Sequence, residues 1–245
     1  MKGAPFNAHA AAAVLASILL VVGCATNSEA PQRRSLATIK ADQLATTPDL
    51  ALELLREGNV RFVSGKPVRR DVLHDQKITA AGQYPHSVVL SCIDSRAPAE
   101  TLFDTGLGDI FNARVAGNIA DPDLVGSIEF ACAVSGARLV LVMGHSNCGA
   151  IKGACDGVQL GNLTGLLQKI RPAVGAVRDI PGEHNSKNQA FVEAVGELNV
   201  RQTMAEILET SPVLRDLEKA GKIKVAGCIY DLETGRVRFL SDVRP

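Results

Sequence analysis

The sequence HSVVLSCIDSR at residues 86–96 decides the fold class of this chain. Its first half is short, apolar and rich in β-branched residues, which is typical of a strand buried on both faces of a parallel sheet. Three later segments share this character, so the predicted strands are 86–91, 109–115, 138–143 and 222–229. Because helical patterns separate these strands, the chain predicts an α/β fold with a mainly parallel central sheet and helices on both faces.

Capping residues mark the predicted helices. Thr47-Pro48-Asp49 predicts a helix start, and Asp121-Pro122 opens another helix. Asn162 is predicted to cap a third helix, and a long helix is predicted from about Asn188 to Glu209. After the fourth strand, a tight turn leads into a predicted antiparallel edge strand at 236–240.

The composition limits the classes of function. At 245 residues, with 46% hydrophobic and 21% charged residues, the chain is long enough for one sizeable globular domain. Its 26 basic and 26 acidic residues balance, so no global field favours nucleic acid. The chain has no Trp and few other aromatic residues, which argues against a surface that stacks bases.

The first residues have the pattern of a secretory signal. Lys2 precedes an uncharged apolar run from Ala10 to Val22, which is too short to span a membrane as a mature helix. The Cys24 that follows completes a sequence resembling a bacterial lipobox, which predicts a lipoprotein signal peptide at 1–23 and lipidation of Cys24. An uncleaved membrane anchor is the alternative. Ala25, where an Asp would favour retention, predicts an outer-membrane lipoprotein on the periplasmic side of the envelope.

The rest of the chain divides into two predicted parts. Residues 24–46 are rich in Ala, Ser, Thr and charges, which predicts a tether. Residues 47–245 hold all the predicted helices and strands and form the predicted catalytic domain.

The cysteines indicate a metal site. Of six cysteines, five remain if Cys24 carries lipid, and an odd number is poorly suited to a pure disulfide framework. Cys92 follows the first predicted strand, whereas His145 and Cys148 follow the third. Ligands of parallel sheets bind past the carboxyl ends of the strands, so we expect these side chains to meet. Two thiolates and an imidazole suit Zn²⁺, and three protein ligands leave a fourth position open for catalysis.

Asp94 and Arg96 distinguish a catalytic zinc site from a structural one. Both follow Cys92 within a single turn. A carboxylate can orient a zinc-bound hydroxide, and Arg96 would keep Asp94 ionised and in place. The alternative interpretation is a surface ion pair worth at most about 1 kcal/mol.

The motif C-x-D-S-R, followed further along the chain by H-x-x-C, resembles the β class of carbonic anhydrases. The resemblance extends from Leu50 to about Leu240. It implies reversible hydration of CO₂ to bicarbonate and a proton by attack of zinc-bound hydroxide. It also implies a homodimer, often paired into a tetramer, with each active site at the dimer interface.

The resemblance also implies substrate contacts. Gln83 stands nine residues before Cys92, where the open type of site has a Gln that reaches the substrate from the dimer partner. Phe111 matches the apolar wall for CO₂, and Gly149 is a further predicted contact. The closed type of site has a Trp and uses the Asp as fourth zinc ligand. This chain has no Trp, so we expect the open type. Asp94 would then be a fourth ligand only in an inactive state.

Several alternatives remain open from the sequence. The same scaffold also serves hydrolysis of a CO₂ analogue such as COS or CS₂, and a non-catalytic zinc-stabilised lipoprotein is a third candidate. Arg114 is either a site residue or a structural one. The other cysteines are predicted to be core residues rather than ligands, namely Cys132, Cys155 and Cys228.

Overall fold

The computed structural model describes residues 31–241. The predicted signal peptide at 1–23 and the lipidation site Cys24 lie outside these residues. Among the helices of 31–241, none is both long and apolar enough to cross a membrane.

A single mainly parallel sheet forms the centre of the described chain. Its strands are β1 (Ser87–Ser91), β2 (Ile110–Arg114), β3 (Leu139–His145), β4 (Lys224–Tyr230) and β5 (Val237–Phe239). They lie in the order β2-β1-β3-β4-β5, and every pair is parallel except β4 with β5. The predicted α/β fold with an antiparallel edge strand is therefore confirmed.

Helices surround this sheet. In chain order they are α1 (Leu36–Ala45), α2 (Pro48–Val63), α3 (Val72–Thr79), α4 (Ala99–Leu102), α5 (Pro122–Glu129), α6 (Gly149–Cys155), α7 (Gly161–Gln168), α8 (Arg171–Ala176), α9 (Gln189–Thr210) and α10 (Pro212–Lys219). The helix that begins after Asp121 continues beyond α5 as a π-helical turn, Phe130–Val134. The starts predicted at Thr47, Asp121 and Asn188 are confirmed, because each side chain caps its helix.

The two faces of the sheet bury alternate residues of each strand, as the period of a strand requires. On one face, Val88 and Leu90 pack with residues of α5, α9 and α10. On the other, Val89 packs with residues of α2 and α4. β1 and β3 are buried along their whole length, which explains their nearly continuous apolar sequences.

The structure differs from the predicted tether, since α1 lies within residues 24–46. Ser35 caps this helix by accepting a hydrogen bond from the Thr38 amide, and Ile39 is buried. Gln43 donates hydrogen bonds of 2.7 Å to the carbonyls of Pro85 and Ser135. Tertiary contacts thus fix α1 to the folded domain, although its segment has the composition of a linker.

The prediction that Asn162 caps a helix is wrong. α7 begins at Gly161, and Leu160 is its N-terminal flanking residue. The hydroxyl of Thr164 accepts a hydrogen bond of 2.8 Å from the Leu160 amide. The amide at the start of α7 is therefore satisfied by Thr164, a residue within the helix, and not by the predicted Asn162 cap.

Close packing between α2 and α4 depends on two adjacent residues. A Cβ atom on Gly58 would lie 1.8 Å from the carbonyl oxygen of Phe103, so only glycine fits there. The buried Asn59 donates to the carbonyls of Leu102 and Gly235 at 3.1 and 3.0 Å. Asn59 therefore ties α2 to the turn before β5, far along the chain.

Candidate metal centre

Three predicted ligands meet at the carboxyl edge of the sheet. Cys92 follows β1, His145 ends the neighbouring β3, and Cys148 immediately precedes α6. Their ligand atoms all lie within 4.8 Å of one another, and the two sulfur atoms are 4.0 Å apart. All three residues are buried. The adjacency of β1 and β3 thus brings together residues that are distant in sequence.

The donor atoms of this cluster fit a cation. The Nδ1 atom of His145 lies 2.9 Å from the Ser146 carbonyl, which can only accept, so Nδ1 carries a proton and Nε2 is the ring atom that faces the two sulfurs. Nε2 is buried without a hydrogen-bond partner. Two sulfurs and one such nitrogen are compatible with tetrahedral Zn²⁺.

The two thiols interact strongly. The hydrogen bond from Cys148 lowers the pKa of Cys92 to about 4 against the opposing effect of burial. The same hydrogen bond, together with burial, raises the pKa of Cys148 far above its usual range. The metal-free pair therefore shares one proton, and a coordinated cation would displace it because metal ligation deprotonates a thiol.

Asp94 and Arg96 form a two-pronged ion pair beside the cluster. The Arg96 guanidinium donates to both carboxylate oxygens of Asp94, at 2.9 and 2.7 Å. These hydrogen bonds hold the pKa of Asp94 well below its usual range. Asp94 Oδ2 also lies 3.9 Å from Nε2 of His145, so the carboxylate is next to the ligand atoms.

Arg114, at the end of β2, holds the backbone of this loop. Its guanidinium donates to the carbonyls of Cys92 and Asp94, at 2.8 and 2.5 Å. Of the two sequence interpretations, the structure therefore supports a role at the site. Arg114 fixes the main chain on which both Cys92 and Asp94 are carried.

Comparison with known proteins agrees with this geometry. The family model for carbonic anhydrases matches residues 87–237, which include the whole cluster. Carbonic anhydrase 2 of Mycobacterium tuberculosis is 34% identical over 197 residues, covering 78% of this chain and 92% of that protein. This chain belongs to the carbonic anhydrase family. A further carbonic anhydrase, from Mycolicibacterium smegmatis, is 32% identical over 203 residues, covering 80% of this chain and 95% of its own.

Solved structures assign this carbonic anhydrase to the β class. A β-carbonic anhydrase from Aspergillus fumigatus superposes with a TM-score of 0.61 at 25% identity, covering 80% of this chain and 92% of that one. A tetrameric β-carbonic anhydrase from Sordaria macrospora gives a TM-score of 0.60 at 27% identity, covering 69% and 87%. The family supports an enzyme that hydrates CO₂.

Two of the predicted substrate contacts lie away from the cluster in this carbonic anhydrase. Gln83 is exposed before the amino end of β1, whereas Cys92 follows its carboxyl end. Phe111 is level with Val88 in the β1–β2 pairing, about 13 Å along the strand from Cys92, and packs edge-on against Phe130.

The third predicted contact is adjacent to the cluster. Gly149 directly follows the ligand Cys148 as the first residue of α6. It is exposed, and a Cβ atom there would meet open space. Of the three predicted contacts, Gly149 alone adjoins the Cys92–His145–Cys148 cluster of its own subunit.

The other cysteines among residues 31–241 lie outside the cluster. Each cysteine among residues 31–241 is free of a disulfide. Cys132 and Cys228 are buried in the core, as predicted, and Cys155 is half-buried.

Sequence reasoning missed two contributors to the site. The amide of Gly117 donates to the Cys92 sulfur at 3.3 Å, and Asn199 on α9 donates to the Gly117 carbonyl at 2.9 Å. The available signal was an Asn in the interior of a helix, a position where Asn is unfavourable without a partner.

Proposed function

We propose that this carbonic anhydrase hydrates CO₂ at one zinc ion held by Cys92, His145 and Cys148. The observation that carries the proposal is the convergence of these three buried donors within 4.8 Å, next to the Asp94–Arg96 pair. When bound, zinc lowers the pKa of a coordinated water from about 15.7 towards neutrality and so supplies a nucleophile.

In this proposal Asp94 orients the nucleophile and does not ligate the metal. Both of its oxygens are already hydrogen-bonded to Arg96, which supports the open type of site. Its Oδ2 atom lies 3.9 Å from His145 Nε2, and in this proposal it would accept a hydrogen bond from the reacting water. Arg96 keeps this carboxylate ionised, so it acts only as an acceptor.

We further propose that the active site is completed in a homodimer. Gln83 and Phe111 lie too far from Cys92 to serve their own subunit, so the Gln83 amide and the Phe111 ring would reach the site of the partner. A Gln83→Ala variant that stays dimeric by light scattering is expected to lose much of its kcat/KM. A fully active monomer would contradict this arrangement.

The cellular location is also a proposal. We propose that lipid on Cys24 anchors the enzyme to the periplasmic side of the outer membrane, supported by the apolar run before Cys24 and the Ala that follows it. Cys24→Ala is expected to shift the protein from the membrane fraction to the soluble fraction. An unchanged membrane fraction would contradict lipid anchoring through Cys24.

Stopped-flow CO₂ hydration by the purified protein tests the central proposal. We expect activity that is lost on removal of zinc by a chelator and restored by added Zn²⁺. The rate should rise from about pH 7 to about pH 9, because two thiolates weaken the Lewis acidity of the ion. Hydration that survives complete loss of metal, or no hydration by the zinc-loaded protein, would refute it.

A further inference from the structure

The Cys92 sulfur receives a hydrogen bond from the main chain. The Gly117 amide lies 3.3 Å from Sγ, in the short helical turn Ala116–Asn118 that follows β2. A hydrogen bond to a ligand sulfur draws charge away from it and fixes its direction. Partners of this kind govern how strongly a ligand holds its metal.

Gly117 has a conformation that needs support. Its φ angle is +73°, and a Cβ atom there would lie 2.6 Å from Cδ1 of Ile170. The turn is closed on one side by a hydrogen bond of 3.0 Å from the Asn118 amide to the Val115 carbonyl. The Gly117 carbonyl accepts a hydrogen bond of 2.9 Å from Asn199 Nδ2.

Asn199 is an unusual residue for its position. It lies in the interior of α9, is only 3% exposed, and is followed by the fully buried Val200. Asn is a poor helix former, and burial of an amide costs free energy unless it is hydrogen-bonded. An apolar side chain would suit helix packing better, so its presence is explained by the hydrogen bond to Gly117.

We infer that Asn199 is a positioning residue for the ligand Cys92: it holds Gly117 in the conformation in which the Gly117 amide donates to the Cys92 sulfur. The inference rests on the proposed zinc site. The Asn199 amide contacts the Gly117 carbonyl, so Asn199 acts on Cys92 through one residue of main chain. The contact links the long helix α9 to the metal ligand that follows β1.

The test compares metal binding by the wild type and by Asn199→Ala. We expect the zinc dissociation constant, measured by competition with a chelator, to rise about 10- to 100-fold. In the Co²⁺-loaded protein, the sulfur-to-cobalt charge-transfer band should move to lower energy, because the sulfur loses a hydrogen bond. Asn59→Ala is the matched control, since it removes another buried Asn that donates to main-chain carbonyls and should leave both readouts unchanged.

A second variant and a second measurement allow for poor folding of Asn199→Ala. Asn199→Leu fills the same space without a donor and should reproduce the loss of affinity. In the wild type loaded with ¹¹³Cd, NMR should detect scalar coupling between the metal and the Gly117 amide proton through the hydrogen bond to sulfur.

Two kinds of contrary outcome separate this inference from the proposed zinc site. Wild-type affinity and spectrum in both Asn199 variants overturn the inference, as does an equal loss in Asn59→Ala or an absence of coupling at Gly117. A wild-type protein that binds neither Zn²⁺ nor Co²⁺ overturns the proposed zinc site and this inference with it.

Discussion

Replacement of Cys148 by Ala is expected to abolish zinc binding and CO₂ hydration together. The change removes one of the three proposed ligands, and the cluster then keeps a single sulfur. Loss of a residue that hydrogen-bonds to a metal ligand lowers metal affinity about 10- to 100-fold. Loss of the ligand itself should therefore lower zinc affinity more than about 100-fold. Cys148 is buried, and among residues 31–241 the cluster holds no further cysteine to take its place.

Metal content and stopped-flow rates of purified Cys148→Ala check this prediction. Cys155→Ala is the matched control, because Cys155 ends α6, the helix that Cys148 precedes, but is not part of the cluster. Burial raises the pKa of Cys155 to about 11, so it remains a thiol at neutral pH. A Cys148→Ala protein that keeps stoichiometric zinc would contradict the assignment of this ligand.

Asp94→Asn is expected to separate metal binding from catalysis. The amide has nearly the same shape as the carboxylate but can neither pair with Arg96 through two oxygens nor act purely as an acceptor. Zinc should remain, because the three ligands are unchanged. The value of kcat/KM should fall about 100-fold or more, the range found when a group that directs a proton in the transition state is removed.

The measurement is zinc content alongside the hydration rate of Asp94→Asn. Asp156→Asn provides a control. Asp156, at the end of α6, is also a hydrogen-bonded carboxylate and accepts a hydrogen bond from the Ser186 amide. Loss of zinc together with activity would indicate that Asp94 is itself a ligand. Unchanged activity would indicate that Asp94 and Arg96 form only a surface ion pair with no role in catalysis.

Local patterns determined much of this protein. The four buried strands were predictable to within two residues at each end, because a strand buried on both faces must be short, apolar and β-branched. The meeting of Cys92, His145 and Cys148 was predictable because a parallel sheet binds ligands at the carboxyl ends of its strands. The prediction that this cluster binds zinc rests on the chemistry of sulfur and imidazole.

Only the tertiary structure decided the rest. Residues 36–45 have the composition of a linker, yet Gln43 finds two carbonyls on distant loops, and their hydrogen bonds make α1 part of the fold. The separation of Phe111 from Cys92 depends on the register between β1 and β2. The contact from Asn199 to Gly117 spans two elements that no local pattern relates. Local sequence reports the preferences of a segment, whereas such contacts depend on which segments the folded chain places side by side.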